Sequence, residues 1–372
     1  MKVGIMFFPG AERSLAGDKF RLLVDAAQYA DRHEFSCVWT PERHFHEFGG
    51  LFPNPALTSA ALAMVTRRVQ LRAGSLISPL HNSIRIAEEW AFVDNLSGGR
   101  VAVSFGSGWN ADDFVFFPER YAKRQRVMYE QIETVKRLWR GEPLAQVNSF
   151  GKEVSVNIYP KPVQPELPVW VTSSGNAETF ASAGAIGANL LTHLIGQDLH
   201  TLSDKIGAYR EARRSHGFDP SQGVVTLMLH TFVGPDLEAV RAKVRGPFRE
   251  YLRSAVSLEQ KAAIGGGVIS GGHKIRPEDV TEAYMEELLD LTFERYFQTA
   301  SLMGTPADCK SFAWQLKEIG IDEIACLIDF LDDYDAVMGG LEYLNELRAF
   351  FSEGTLGAAA RQAVSAFTEE LE

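Results

Sequence analysis

The chain has 372 residues, of which 45% are hydrophobic and 23% are charged, and its formal net charge is −11. This length and apolar content support a large buried core and exclude disorder of the whole chain. Because the acidic residues are spread along the sequence, general binding to nucleic acid or to anionic membranes is not expected.

Export or membrane insertion is not expected either. The apolar run Met1–Phe8 is too short for a signal peptide and charged residues follow it, and no stretch approaches the roughly 20 apolar residues of a membrane span. Cys37 and Cys326 lie in apolar runs, Cys309 is alone, and there is no CxxC pair. This usage favours buried thiols over disulfides or a zinc site. We therefore expect a cytoplasmic protein.

Short apolar segments with β-branched residues alternate with longer segments of helical spacing. The predicted strands are Lys2–Phe8, Cys37–Thr40, Val69–Ile77, Val101–Phe105, Pro168–Thr172, Asn189–His193, Val224–Val233 and Glu323–Asp329. The predicted helices include Phe20–His33, Asn54–Thr66, Ile84–Asn95, Tyr121–Trp139 and Ala177–Ala185. Such alternation predicts parallel strands joined by right-handed crossovers. Eight repeats favour an α/β fold of the closed (β/α)8 type, a TIM barrel, over a doubly wound open sheet.

Two segments interrupt the alternation. Val154–Gln164 is predicted to be an extended ribbon that leads into a proline-rich stretch before the fifth strand. Phe248–Thr299, an insertion between strands 7 and 8, contains glycine clusters at Gly265–Gly267 and Gly271–Gly272. An insertion after a barrel strand lies on the active-site face, so a mobile lid around 248–299 is favoured over an ordinary surface loop. Residues 1–372 are expected to form a single domain.

The most reactive cluster directly follows the second predicted strand. Glu42, Arg43, His44, His46 and Glu47 fall within six positions. A histidine can transfer protons near neutral pH and a glutamate can orient it, which makes Glu42, Arg43 and His44 candidate catalytic residues. Two alternatives stay open. One is a metal site of His44, His46 and Glu42 or Glu47, which lacks a supporting HxxxH helix or second ligand cluster; the other is a structural polar turn.

Small residues after the fourth predicted strand indicate close approach of a ligand to the backbone. Gly106, Ser107 and Gly108 are followed by Trp109, which offers a flat apolar surface, and by Asn110. Taken alone this is a weak signal, and its spacing is not that of a nucleotide-binding GxGxxG motif.

Two further strand ends show related patterns. Ser173, Ser174 and Gly175 follow the fifth strand and precede a helix, where free N–H groups favour an anion such as a phosphate. The alternative there is only a helix cap. In the third strand, Gly74 and Ser75 interrupt apolar sequence, which indicates a bulge or the close approach of a ligand.

Together these motifs resemble the bacterial-luciferase-like flavin monooxygenases, and the likeness runs nearly end to end. It rests on the order and spacing of Trp39–Gly49, Ile84–Arg100, Gly106–Phe114, Leu138–Glu142 and Gly304–Pro306. The closing Gly320–Phe330 segment is similar to that of the subgroup found with polyketide and nonribosomal-peptide assembly lines.

The resemblance implies a barrel that binds FMN at the carboxyl ends of its strands. The cofactor would arrive as FMNH2 from a separate flavin reductase and activate dioxygen. By position, Gly74 and Ser75 would lie against the flavin ring, where relatives have a non-prolyl cis peptide. Gly106–Asn110 would line the flavin and Ser173–Gly175 would hold its phosphate. His193, His46 and Trp39 are assigned to the substrate pocket, and relatives form a homodimer through the region of the second and third helices.

One departure from the family concerns the residues after Glu42. Light-emitting luciferases have two adjacent histidines where this chain has Arg43 and His44, and Gly106–Ser107 replaces a thiol and arginine pair. Both changes argue against aldehyde oxidation with light emission.

The expected function is that of an FMNH2- and O2-dependent monooxygenase that inserts one oxygen atom into a natural-product intermediate, free or bound to a carrier protein. A deazaflavin-dependent oxidoreductase is one alternative, although no cationic cluster for that cofactor's acidic tail is obvious. The other is a non-catalytic flavin-binding protein, although such relatives lose polar pocket residues that this chain keeps.

Overall fold

A computed structural model of the chain describes residues 1–8, 20–264 and 282–352. Its strands are β1 Lys2–Met6, β2 Cys37–Thr40, β3 Gln70–Ile77, β4 Val101–Gly106, β5 Leu144–Val147, β6 Glu153–Val156, β7 Val169–Thr172, β8 Asn189–His193, β9 Val225–Val233, β10 Leu302–Gly304 and β11 Glu323–Leu327. Its helices are α1 Arg21–Arg32, α2 Pro55–Val65, α3 Ser83–Ser97, α4 Arg124–Trp139, α5 Ala177–Ala185, α6 Leu199–Ser215, α7 Leu237–Ile264, α8 Glu282–Thr299, α9 Pro306–Glu318 and α10 Tyr334–Ser352.

Eight parallel strands close into a ring in the order β1, β2, β3, β4, β7, β8, β9 and β11, and β11 pairs with β1 to complete it. This confirms the predicted TIM barrel. Two features were not predicted as strands: three-residue β10, which pairs with the end of β9, and the antiparallel hairpin of β5 and β6. The first is too short to show a periodicity. In the second, β6 overlaps the start of the predicted ribbon Val154–Gln164 and β5 precedes it.

Several helices begin at a polar residue whose side chain accepts a backbone N–H from the first turn. These N-caps are Asn54, Asn82, Asn176, Asp198 and Thr305. Each cap satisfies an N–H that would otherwise lack a partner and fixes where the strand-to-helix loop ends. The loops after β2, β3, β7 and β8 are therefore held at both ends.

The lower barrel interior contains a buried ion pair. Arg72 on β3 donates to Oε1 of Glu323 on β11 at 2.6 Å, and both side chains are almost fully buried. The Arg72 guanidinium lies between the rings of Trp39 and Trp170, at 4.8 and 4.3 Å from their centroids. Thr226 on β9 also donates to Glu323 Oε1. These contacts join β2, β3, β7, β9 and β11 across the barrel below the site.

The predicted insertion Phe248–Thr299 contains the second half of α7 and the whole of α8. Arg249 pairs with Glu286 and Asp290, which links the two helices. The glycine-rich segment 265–281 lies outside the described residues, so the lid and the single-domain organisation stay predictions. In the part of the chain that the structure describes, no helix has the length and apolar character to cross a bilayer.

Candidate active site

The carboxyl end of β2 holds an ordered Glu42–His44 pair. Glu42 is 4% exposed, and its Oε1 accepts hydrogen bonds from Nε2 of His44 at 2.8 Å and Nε2 of His81 at 2.6 Å. Its Oε2 accepts the Ile77 backbone N–H at 2.6 Å. Burial alone would raise the pKa of Glu42, but these hydrogen bonds outweigh it and hold the pKa below its usual range. Glu42 is therefore a carboxylate at neutral pH, and it fixes the orientation of the His44 ring.

His81 follows β3 and was not among the predicted site residues. Burial would lower the pKa of His81, but the hydrogen bond to Glu42 and the charges of Glu42 and Glu89 raise it above its usual value, against a smaller opposing effect of Arg120. Arg120 also donates to the His81 carbonyl at 2.7 Å. His81 and Glu42 are 39 positions apart, so no local spacing could have indicated the contact.

We expect His81→Asn to destabilise the protein in a pH-dependent way. The raised pKa of His81 means that its ion pair with Glu42 contributes fully below about pH 6.5 and is lost as pH rises through the folded-state value. Urea unfolding at about pH 6 should show a loss of roughly 1.5–3 kcal/mol, as for a hydrogen bond to a charged group, and a smaller loss at about pH 9. The exposed His200→Asn is the control. An equal loss at both pH values would contradict the expectation.

Arg43 lies beside this pair, and its side chain points into the barrel mouth. The residue is 6% exposed, and Cζ lies 5.4 Å from the Phe8 ring and 5.3 Å from the Trp109 ring. Burial lowers the pKa of Arg43, and the nearby charge of Asp113 opposes this. Asp113 is itself buried and accepts from Asn110 Nδ2 at 2.9 Å. The arrangement places a guanidinium against flat aromatic surfaces next to His44.

Interior residues at the ends of β8, β9 and β11 complete the mouth of the barrel. Burial lowers the pKa of His193 to about 4 and that of His230 to about 3, so both are neutral at pH 7. His193 Nδ1 accepts the Ile195 N–H, which leaves its proton on Nε2. Burial raises the pKa of Asp329 to about 7, and this carboxyl accepts the Phe8 N–H at 2.8 Å.

Sequence reasoning missed His230 and Asp329, although both lie inside predicted strands. A strand prediction alone does not say which side chains face the barrel interior. His230 lies four positions after Thr226, whose hydroxyl bonds Glu323 in the interior, so the period of two in a strand places His230 on the same face. This period was the available signal.

An aromatic rim borders His44. Phe45 is 64% exposed and has φ of 54°, a left-handed conformation that is rare for a bulky residue. The Phe116 ring lies 5.2 Å from the His44 ring and 5.6 Å from the Phe45 ring. The turn at Phe45 thus lets the chain reverse directly after His44 and sets an apolar surface at the entrance.

Beside this cluster, the neighbouring strands β3, β4 and β7 present a surface of small and hydroxyl-bearing residues, here called the cradle. The Gly74–Ser75 peptide is cis and the β3–β4 register shifts between Gly74 and Leu76, in agreement with the bulge that the residues indicated and the cis peptide that the resemblance implied. Ser75 Oγ and Ser104 Oγ lie 2.5 and 2.6 Å from Oγ1 of Thr172. A Cβ on Gly106 would lie 3.3 Å from Cβ of Ser75. Side-chain hydroxyls and the backbone of Gly106, which has no side chain, therefore line a surface that a flat ring system could approach.

The loop after β4 extends this cradle. Gly108 has φ of 76°, and a Cβ there would come within 2.8 Å of Ile77 Cγ2, so only glycine fits. Trp109 is partly exposed, at 36%. The Asn110 side chain accepts the Asp112 N–H and donates to Asp113, and these contacts hold the loop in shape. Ser107 precedes them at the open edge of the loop.

A hydroxyl-rich loop between β7 and α5 lies at the other end of the cradle. Ser173 is buried, Ser174 is exposed and Gly175 has φ of 104°. A Cβ on Gly175 would lie 3.5 Å from Nζ of Lys205, which donates to Gln197 at 2.8 Å. Lys205, on α6, adds a cation that sequence reasoning missed because it lies one whole βα unit further along the chain.

Two residues assigned to the substrate pocket make other contacts in this structure. Trp39 is fully buried under Gly74, where a Cβ would lie 2.9 Å from its ring, and it packs edge-on against Trp170. His46 accepts the Phe48 N–H through Nδ1. Their contact with substrate stays a prediction. Among the described residues, no three His, Cys, Asp or Glu side chains are arranged to hold a metal ion.

Comparison with known proteins gives a consistent set of similarities. The family model for luciferase-like monooxygenases matches residues 1–323. The chain is 29% identical over 344 residues to the flavin-dependent trigonelline monooxygenase, oxygenase component, of Acinetobacter baylyi, with 89% of each chain covered.

Two solved structures share the fold. One is the oxygenating constituent of 3,6-diketocamphane monooxygenase from Pseudomonas putida in complex with FMN, with 19% identity, a TM-score of 0.72, and coverage of 94% of this chain and 98% of that one. The other is an F420-dependent secondary alcohol dehydrogenase in complex with an F420-acetone adduct, with 20% identity, a TM-score of 0.66, and coverage of 93% and 98%.

Proposed function

The chain belongs to the luciferase-like monooxygenase family, and we propose that it uses FMNH2 and dioxygen to insert one oxygen atom into a natural-product intermediate. The observation that carries this proposal is the Glu42–His44 pair, which is hydrogen-bonded to the end of β3, the strand that contains the cis Gly74–Ser75 peptide. A proton-transferring group beside a flat, hydroxyl-lined surface is what flavin-dependent oxygen transfer requires.

The residues present fit an FMN. The hydroxyls of Ser75, Ser104 and Thr172 and the backbone of Gly106, which carries no side chain, would line a flat ring. Ser174, the N-terminus of α5 and Lys205 suit a phosphate. FMNH2, when bound, supplies the two electrons that activate dioxygen.

His44 is the proposed proton donor. Its Nε2 is engaged by the ionised Glu42, so Nδ1 is the ring nitrogen that takes up and releases a proton. The Glu42 carboxylate stabilises the protonated ring, as the acid of a catalytic triad does. Arg43 carries a fixed positive charge, and the aromatic rim at Phe45 and Phe116 limits access of water to the site.

We expect FMNH2 to bind more tightly than oxidised FMN, because flavin in this family arrives as a diffusible reduced substrate. An equilibrium titration under nitrogen measures both affinities. Reduced riboflavin, which lacks the phosphate, should bind more weakly than FMNH2 and serves as the control ligand. Oxygen is then added to the protein–FMNH2 complex, and the absorbance spectrum of the flavin is recorded to follow its reoxidation. Tight binding of a deazaflavin without any response to FMNH2 would refute the proposal and favour the deazaflavin-dependent alternative.

The natural-product substrate and the reductase are the finer parts of the proposal. The Gly320–Phe330 segment supports a role beside polyketide or nonribosomal-peptide assembly lines, with a substrate that is free or carrier-bound. The relative from Acinetobacter baylyi is named as an oxygenase component, which supports a separate flavin reductase for this chain as well.

We expect a homodimer formed through α2 and α3. Leu57 and Met64 on α2 are 70% and 63% exposed, and Phe92 on α3 is 53% exposed. Large apolar residues outside the core face of a helix indicate a second partner. Sedimentation at micromolar concentration should show a dimer that Phe92→Asp weakens, while Val147→Asp on the exposed β5 leaves it intact. A monomeric parent protein would be inconsistent with this interface.

A further inference from the structure

Arg43 differs from the other buried arginines that the structure describes. Arg72 donates to Glu323 and Gln70, and Arg213 donates to the carbonyls of Asp219 and Ala188. Among the described residues, Arg43 is as buried as these, yet its guanidinium makes no hydrogen bond and no ion pair within 4.0 Å, and its enclosed Nε lacks any partner.

In the described part of the chain, the carboxylates nearest to Arg43 accept hydrogen bonds from other groups. Both oxygens of Glu42 accept hydrogen bonds from His44, His81 and the Ile77 N–H. Asp113 accepts from Asn110 and lies beyond ion-pair distance of Arg43. A buried cation without a hydrogen-bonding partner is strongly unfavourable. Such a group persists where a ligand supplies the missing anion, and the position of Arg43, directly before His44, is where a substrate would lie.

The surroundings of Arg43 indicate the shape of that anion. The Phe8 and Trp109 rings lie within 5.4 Å of Cζ and offer flat faces. The ring centroid of Phe48 lies 5.3 Å from that of Phe8 and 4.8 Å from that of Tyr251. The planar fork of a guanidinium matches a carboxylate through two parallel hydrogen bonds, and aromatic walls suit a planar, unsaturated group.

We propose that Arg43 binds the carboxylate of a planar, unsaturated substrate and holds it next to His44. This inference rests on the proposed function, because it takes the barrel mouth as the substrate site.

The test uses benzoate as the probe anion and benzamide as its neutral counterpart of the same shape. Calorimetry with the full-length protein should show benzoate binding that benzamide does not match. Arg43→Gln should weaken benzoate binding at least about 10-fold, as loss of a charge-assisted hydrogen bond does. Arg126→Gln, which removes an exposed arginine from α4, should leave binding unchanged and controls for net charge.

A second measurement does not depend on the probe. Arg43→Met removes the unpaired charge at similar volume, so it should raise the Tm of the ligand-free protein by about 2 °C or more. Arg72→Met breaks a satisfied pair and should lower the Tm. A fall in Tm for Arg43→Met would overturn the inference, since it would mean that the guanidinium is already compensated.

Binding results separate this inference from the proposed function. No benzoate binding, equal benzamide binding, or benzoate binding that survives Arg43→Gln would overturn the carboxylate site. The affinity for FMNH2 should be the same in Arg43→Gln as in the parent protein. A loss of affinity of about 10-fold would mean that the flavin is the anion that Arg43 binds. That result would overturn the inference and leave the proposed function standing. Failure of the parent protein to bind FMNH2 would instead refute the proposed function, while benzoate binding that depends on Arg43 would still support the carboxylate site itself.

Discussion

Replacing His44 with alanine should lower product formation on the order of 10²-fold or more, as loss of a general acid or base typically does, with reduced flavin diverted to hydrogen peroxide. Oxygen transfer is productive only if a proton reaches the site before the oxidant is released into water. His44 meets this need because Glu42 holds its Nε2 at 2.8 Å and leaves Nδ1 for the proton. Parallel assays of product and of peroxide measure the loss of coupling.

The His44 variant should still fold and bind FMNH2, because the cradle on β3, β4 and β7 does not involve this ring. His200→Ala, on the exposed surface of α6, is the matched control and should keep both product yield and coupling. If His44→Ala forms product at the parent rate, His44 is structural. His193, the second candidate from the sequence, is neutral at pH 7 because burial lowers its pKa to about 4. Asp329, with a pKa of about 7, then becomes the better donor to test.

Replacing Arg72 with methionine should cost roughly 3–5 kcal/mol of unfolding free energy, because it leaves a buried carboxylate without its charged partner. The Glu323 side chain is fully buried, and its Oε1 lies 2.6 Å from the Nη1 of Arg72. The variant also removes a cation from between Trp39 and Trp170. Denaturant unfolding of the parent and the variant gives the difference.

Two comparisons show whether the loss comes from the buried charge. Arg85→Met, which breaks the exposed pair with Glu89 on α3, should cost less than about 1 kcal/mol. The double variant Arg72→Met/Glu323→Leu should recover most of the loss, because apolar replacement of a buried pair is often neutral. A double variant as unstable as the single one would show that packing around Arg72, and not the charge, is what matters.

The sequence alone was sufficient to locate the strands and the closed barrel. Eight apolar runs separated by helical patterns leave few arrangements for a parallel sheet, and each predicted strand is present within two residues of its expected bounds. Local patterns also indicated a candidate site, which stays a prediction. Glu42 and His44 are in contact because both lie, two positions apart, in the loop directly after β2.

Only the tertiary structure decided which distant residues join that site. His81 reaches Glu42 across 39 positions, Lys205 reaches Gly175 from α6, and His230 faces the mouth from β9. The contacts of His81 and Lys205 depend on how the barrel closes, which leaves no trace in local periodicity, whereas the strand period of two indicates only which face His230 occupies. The environment of Arg43 is likewise a property that only the tertiary structure shows. The burial of an arginine cannot be seen in a sequence, and among the described residues Arg43 lacks a hydrogen-bonding anion because the nearby carboxylates accept hydrogen bonds from other groups.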